Sequence, residues 1–265
     1  MTTIKETIKS FLPTSVVQML QRNRARVRLK RRLRPFAKLS PSQVFTQIYE
    51  RGLWGSAPEG AQKFFSGPGS HESRAVDCYV DAVQRFLTSL EIKPDVVDLG
   101  CGDFFVGSQI RPFCEGYIAC DVVESLIVYN KTKFNSLNVE FKVLDLTRDP
   151  IPQCHVLFLR QVLQHISNKH IERALPKLSS CCKYLVLTEH LPPGDPFTPN
   201  VDIGVGPAVR PELNSGVVLS SPPFNLKAME ERTLCEISMD DGRIRTTLFR
   251  LGEHSQNKRF FLSRP

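Results

Sequence analysis

Val96-Val97-Asp98-Leu99-Gly100-Cys101-Gly102-Asp103 decides how this chain is read. Apolar residues run into an acid, and two glycines then flank one small residue. The pattern predicts a buried strand that ends in a tight turn. Gly100 and Gly102 carry no Cβ and reach φ > 0 without strain, so a ligand can lie directly against the backbone. In open α/β sheets such turns fall at the carboxyl ends of parallel strands, where nucleotide-like ligands bind. A glycine turn can also do no more than close a strand-to-helix connection.

The following segments narrow the choice. Tyr117-Ile118-Ala119-Cys120-Asp121 reads as a second buried strand ending in an acid, 19 residues after Gly102. An acid about 20 residues beyond such a turn is placed to hydrogen-bond ribose hydroxyls. A third strand, Val139 to Leu144, is followed by Asp145. Three strands ending in acids predict a row of polar anchors along one sheet edge. The dinucleotide fingerprint fits poorly, because the position of its third glycine holds Phe105 and the next glycine is Gly107. Asp98 and Asp103 also put negative charge beside the turn, which repels a pyrophosphate and attracts a cationic ligand.

Asp98-Leu99-Gly100-Cys101-Gly102 resembles the first motif of the class I S-adenosylmethionine-dependent methyltransferases: an acid, one residue, then G-x-G. Asp145-Leu146-Thr147 and the run from His155 to Asn168 resemble the fourth strand and following helix of a bacterial subset associated with small molecules and polysaccharides. Ile48-Tyr49, Trp54-Gly55 and Ser66-Gly67-Pro68-Gly69-Ser70 are similar to that subset's pre-core segment. Asn200-Val201-Asp202-Ile203, Gly206, Arg210 and Pro222-Pro223-Phe224 are similar to its late loop. The resemblance spans roughly Phe45 to Leu251.

The resemblance implies S-adenosyl-L-methionine as cofactor. It places the methionine part at Asp98, Gly100, Cys101 and Gly102, the ribose at Asp121 and the adenine edge at Asp145 and Leu146. Arg160 and Gln161 then lie beside the methionine end. It implies transfer of a methyl group to a small-molecule or glycan acceptor, with a sugar hydroxyl as the first specific acceptor. N- or O-methylation of another metabolite is the alternative, as is a scaffold that binds the cofactor or RNA without turnover. Trp54 and Ser70 of the pre-core segment are candidate acceptor contacts. Asp202 and Arg210 either hold a polar acceptor or form a salt bridge within the loop. A base is needed only when the acceptor must lose a proton. His165 after strand four and His190 at the end of strand five are the candidates, although a lone histidine is often structural.

Alternating strand and helix patterns predict an α/β, Rossmann-like, doubly wound sheet with helices on both faces. Helices are expected over Arg74–Leu90, Val123–Lys133 and Ile171–Cys182, the last capped by Ser167 or Asn168. Strand five is expected over Tyr184–Glu189. Arg232–Ile237 and Arg243–Leu251 bracket Asp240-Asp241-Gly242 and predict a hairpin. The resemblance makes this a mostly parallel seven-stranded sheet with a C-terminal antiparallel hairpin. The domain layout that follows is a basic arm over 1–39 and a methyltransferase domain over 40–265. That domain divides into cap helices over 40–93 and a core over 94–265, with an acceptor loop at 190–225. The loop is proline-rich and has little periodicity, as binding loops and lids often do.

Charge is unevenly placed. The whole chain carries +8, yet residues 1–39 hold eleven Lys or Arg and one acid, a net of +10. The remainder therefore sums to −2 (8 − 10). The arm either packs as a solvated helix, lies on an anionic membrane surface or binds nucleic-acid phosphates. No aromatic residue falls between Arg22 and Arg34, which disfavours base stacking. No apolar run is long enough to span a bilayer, and Lys5, Glu6 and Lys9 interrupt any signal-peptide core. A cytoplasmic protein, peripheral on a membrane at most, is expected. The eight cysteines show no C-x-x-C pair, so reduced thiols are expected and no metal site. Neither a nucleophile elbow nor a P-loop occurs. Oligomeric state leaves no trace in the sequence.

Overall fold

The computed structural model describes residues 14–56 and 63–252. The first thirteen residues of the expected arm and the chain after residue 252 lie outside them. The elements run α1 (Thr14–Leu33), α2 (Pro41–Glu50), α3 (Ser73–Thr88), β1 (Val96–Leu99), α4 (Phe105–Ile110), β2 (Tyr117–Asp121), α5 (Glu124–Lys133), β3 (Glu140–Val143), β4 (Cys154–Arg160), α6 (Asn168–Cys181), β5 (Cys182–Leu191), β6 (Glu230–Met239) and β7 (Gly242–Arg250).

The strands form one seven-stranded sheet in the order β3-β2-β1-β4-β5-β7-β6. β1 pairs in parallel with both β2 and β4, and β7 pairs antiparallel with β5 and β6. The sheet is the expected mostly parallel one closed by an antiparallel hairpin. The chain reverses its direction of travel across the sheet between β1 and β4, which opens a crevice at their carboxyl ends.

Both faces of the central sheet are covered, which is why β1, β2, β4 and β5 are buried along nearly their whole length. Val97, Leu99, Ile118, Cys120, Leu157 and Leu159 face α6, where Ile171, Ala174 and Leu178 are buried against them. Val96, Tyr117, Ala119, Val156 and Phe158 face α3 and its Tyr79, Val83, Phe86 and Leu87. Strand alternation puts Asp98 on the α3 face, one residue short of the turn.

Local signals explain the element ends. Ser40 and Gln43 form a reciprocal capping box at the start of α2. The Glu72 carboxylate accepts from the Ala75 amide at 2.6 Å and starts α3. α6 starts three residues earlier than its periodicity suggests. Ser167 holds the N-cap position, but its hydroxyl pairs with His170 Nδ1 at 2.7 Å rather than with a helix amide. The Asp202 carboxylate, from the loop after β5, takes the Asn168 amide instead at 2.7 Å.

That loop is irregular apart from one turn of 3-10 helix at Arg210–Leu213. The carboxyl half of α1 packs on it. Leu29, Leu33 and Phe36 share a buried cluster with Ile203, Ala208 and Leu213, and Arg32 pairs with Glu212 at 2.6 Å.

Phe104 fixes the chain just beyond the glycine turn. Its backbone is left-handed (φ 60°) and its ring is fully buried. The ring meets Tyr117, Phe134 and Phe141 edge-on at centroid distances of 5.5, 5.2 and 5.0 Å. A Cβ at Gly107 would run into it. Phe104→Ala is expected to cost about 3–5 kcal/mol. Urea unfolding checks this through a lower midpoint at unchanged slope.

Candidate active site

The turn after β1 is fastened on every side. The amides of Gly100 and Cys101 both donate to the Cys120 carbonyl at 2.8 and 2.9 Å. Gly100 and Gly102 have φ of 74° and 57°. A Cβ at Gly100 would run into Val162, and one at Gly102 into the Ser66 hydroxyl. Conformation and the protein's own packing therefore both demand glycine there. Asn130 of α5, fully buried, donates to the Gly102 carbonyl at 2.8 Å.

Asp121 closes the turn from the β2 side. One carboxylate oxygen accepts from the Gly102 amide at 3.1 Å and the other from the Val123 amide at 3.0 Å. Burial still pushes its pKa up to about 6, against the pull of these amides. Asp98 accepts from the Tyr117 hydroxyl at 3.0 Å. Burial pushes its carboxyl up to about 7; the Tyr117 hydroxyl opposes the shift, Asp121 adds to it and Arg160 opposes it. Two acids thus stand buried side by side with one guanidinium nearby.

Asp103 serves a different purpose. It accepts from the Ser66 amide at 2.9 Å, from His71 Nε2 at 2.7 Å and from the Phe105 amide at 3.2 Å. The Asp103 amide in turn donates to Ser66 Oγ at 2.8 Å, and Ser66 Oγ also pairs with the Tyr49 hydroxyl at 3.0 Å. The His71 ring stacks between Phe65 and Phe105. These contacts clamp the pre-core segment Ser66–His71 onto the turn.

β4 delivers the next pair. Arg160 donates to the Gly69 carbonyl at 2.7 Å and to Ser70 Oγ at 3.2 Å, and its guanidinium lies 5.2 Å from the Tyr79 ring centroid. Gln161 follows in a left-handed conformation (φ 57°), a strained geometry for a residue with a side chain. Its side-chain amide donates to the Gly69 carbonyl at 3.1 Å. Beyond β3, Asp145 accepts from the Thr147 amide at 2.8 Å and the Thr147 hydroxyl at 2.7 Å.

One cavity spans the carboxyl ends of β1 to β4. It is lined by Asp98, Gly100, Cys101, Gly102, Asp121, Asp145, Leu146, Arg160 and Gln161. Trp54, Ser70 and His165 border the same space. The His165 Nδ1–H donates to the Ala208 carbonyl at 3.2 Å, which leaves Nε2 to accept from the Gln164 amide at 3.2 Å. Burial pushes its pKa down to about 4, so the ring is neutral. It packs 4.9 Å from the Trp54 ring.

Three residues singled out in the sequence lie outside this cavity. β5 continues through Leu191, so His190 sits inside the strand, with Nε2 3.3 Å from Asp241 in the hairpin turn. Asp202 caps α6, as described above. Arg210 is fully buried and donates to the carbonyls of Val201 and Ile166, the latter at 2.8 Å. Arg210 also faces Glu189, whose carboxyl burial pushes up to about 8. Asp202 and Arg210 share one cause, an irregular loop without ladder partners that needs side chains to satisfy backbone groups, whereas His190 is held by the longer β5 and its pairing with β7.

Other groups also line the cavity. Tyr49, Ser66 and Asp103 stood in the sequence only as segment or turn positions, and Phe45 and Tyr79 carried no site signal. Tyr79 carried only the signal of an apolar helix face. Asn130, which anchors the turn from behind, carried none. No disulfide joins cysteines among the described residues, and no cluster suited to a metal occurs among them.

No family model matches the chain, and no curated protein matches it. Among solved structures, it is similar to the N-methyltransferase NodS from Bradyrhizobium japonicum WM9 in complex with S-adenosyl-L-homocysteine. That match has a TM-score of 0.54 and 14% identity, over 79% of this chain and 100% of the other. It is also similar to magnesium protoporphyrin IX methyltransferase (ChlM) from Synechocystis PCC 6803 with bound SAH, with a TM-score of 0.53 and 15% identity over 79% of this chain and 98% of the other. The chain therefore has the Rossmann-like fold of these class I methyltransferases.

Proposed function

We propose that the chain is an S-adenosylmethionine-dependent methyltransferase acting on a hydroxyl of a small molecule or glycan, a sugar hydroxyl first among them. The observation that carries this reading is Asp98. It is a buried carboxyl at the head of the glycine turn, pushed up to about 7 by burial, which the Tyr117 hydroxyl and Arg160 only partly offset. A ligand bearing ammonium and sulfonium charges supplies what is missing. The remaining lining fits the same ligand. Asp121 has lone pairs left for a ribose diol, and Val122, Leu144 and Leu146 offer an apolar wall for a planar base.

The cofactor, when bound, supplies a methyl group already activated on a cationic sulfur. The chain's own part is to orient the acceptor and exclude water. Phe45, Tyr49 and Trp54 form an aromatic wall on the acceptor side. Ser70 and Gln161 add neutral hydrogen-bonding groups there. An aromatic face beside neutral polar groups suits the ring of a sugar better than an ion. His165 is the better placed of the two candidate bases, since it lines the cavity, is neutral and keeps a lone pair on Nε2. It can accept the hydroxyl proton once Gln164 turns aside.

Three outcomes test the reading. Isothermal calorimetry with S-adenosylmethionine should show binding, and Asp98→Asn should weaken it by at least about tenfold, the loss of one charge-assisted contact. In the wild type, a cation selects ionised Asp98. With a free carboxyl near 7, affinity should be about tenfold weaker at pH 6 than at pH 8. Absence of binding heat removes the proposal.

The same acids act on stability. In the folded chain Asp98 and Asp121 hold their protons to higher pH than in the unfolded chain. The folded state therefore binds more protons between about pH 4 and pH 7, and ligand-free stability falls as pH rises through that window. S-adenosylmethionine should reverse the fall at pH 8, read by thermal unfolding.

The acceptor side has its own test. His165→Asn should lower methyl transfer about 10²–10⁴-fold while the calorimetric Kd stays unchanged. Labelled methyl uptake by a panel of glycans and metabolites measures it. A rate equal to wild type would remove His165 as the base.

A further inference from the structure

α1 carries more than its packing needs. From position 14 to 39 the chain holds nine Lys or Arg and no acid, while the chain beyond residue 39 is slightly acidic. Leu29 and Leu33 point into the body. Met19, Arg26, Val27, Lys30 and Arg34 fall together on another face, at spacings of three, four, seven and eight residues. Met19 is 55% exposed and Val27 53%. Among the described residues none of these three cations forms an ion pair.

This face borders a long groove between α1 and the loop at 201–205. Arg26, Lys30 and Arg34 stand along the groove, and Leu33, Ile203 and Val205 form its apolar wall. Cations over apolar surface match an amphiphile with an anionic head. Base stacking has no platform here, because α1 has no aromatic side chain. No helix among the described residues is long and apolar enough to cross a membrane, so contact with a bilayer through α1 is peripheral.

We infer that α1 is a docking surface for an anionic phospholipid bilayer, gripping headgroups with Arg26, Lys30 and Arg34 and inserting Met19 and Val27. The surface is coupled to the cavity through the acceptor loop. α1 is fixed on that loop by Leu33 and by the Arg32–Glu212 pair. The loop in turn meets the cavity rim, where the Trp54 indole donates to the Pro207 carbonyl at 3.4 Å and His165 donates to Ala208. A bilayer under α1 therefore holds the cavity at a fixed place relative to the membrane.

Co-sedimentation of the full chain with vesicles tests this without reference to methyl transfer. Phosphatidylcholine vesicles containing phosphatidylglycerol should pellet the protein, and pure phosphatidylcholine vesicles should not. Binding should weaken as salt is raised. Each basic side chain near such a surface contributes about fivefold to partitioning. The triple variant Arg26→Glu, Lys30→Glu, Arg34→Glu should therefore lose at least about 100-fold, while Arg26→Lys with Arg34→Lys should bind as wild type. Met19→Ser with Val27→Ser should lose about tenfold and keep the salt dependence. Thermal unfolding of each variant separates lost docking from lost folding. Equal pelleting with neutral vesicles, pelleting unaffected by the triple charge reversal in a folded variant, or tighter binding to a single-stranded RNA than to the anionic vesicles would overturn the inference.

Discussion

Negative charge buried without enough positive charge to meet it is the constraint on which this site is built. Asp98 and Asp121 are both under one-tenth exposed, and each sits at or next to the carboxyl end of its strand. β1 and β2 pair in register, so the last residue of β1, Leu99, lies beside Cys120. The two acids come to the same edge of the sheet as a consequence. Backbone amides soften the cost. The Gly102 and Val123 amides point at Asp121 because the turn and the start of α5 present amides that have no helix partner. Asp98 has one hydroxyl instead, and its carboxyl lies correspondingly further from the usual range.

A turn whose backbone takes φ > 0 at Gly100, Gly102 and Phe104 is pinned from outside. Asp103 does so by joining three separate amides or rings, and Ser66 answers with a bond in each direction. The pre-core segment is thereby part of the turn and not an appendage to it. Arg160 repeats the arrangement one strand away, where its donors hold Gly69 and Ser70. A side chain at Gly69 would collide with Gln161, the residue in a left-handed conformation next door. Sheet edge, turn and pre-core segment are thus one mechanical unit.

The parts legible in the sequence were those governed by a period or a turn. β2 runs over Tyr117–Asp121 as its apolar run ending in an acid indicates. The hairpin turns at Asp240-Asp241, with Met239 paired to Gly242, within the segment that its two strands bracket. Asp98, Asp121 and Asp145 converge on one cavity because strand ends in a parallel sheet have little freedom to be elsewhere. The loop residues were illegible for the opposite reason. Asp202 and Arg210 have the chemistry of a binding site, yet their direction is set by which backbone groups the loop leaves unpaired. Arg210 turns inward to two carbonyls, and Asp202 turns to the first amide of α6. Residue type shows what a side chain can do; only the path of the loop decides whether it faces ligand or backbone.

The same distinction divides the cavity. Its turn side is made of strand ends, whose positions follow from the sheet's hydrogen bonding. Its aromatic side is made of α2, the pre-core segment and the rim of an irregular loop. Tyr49 belongs to both, since its hydroxyl reaches Ser66 while its ring packs against Trp54. Changes among Phe45, Trp54 and the loop can therefore alter what is held against the turn without disturbing Asp98 or Asp121. Changes at Tyr49 cannot, because they reach the clamp. A site divided in this way can keep one ligand and exchange the other, and the boundary between the two runs through Tyr49 and Ser66.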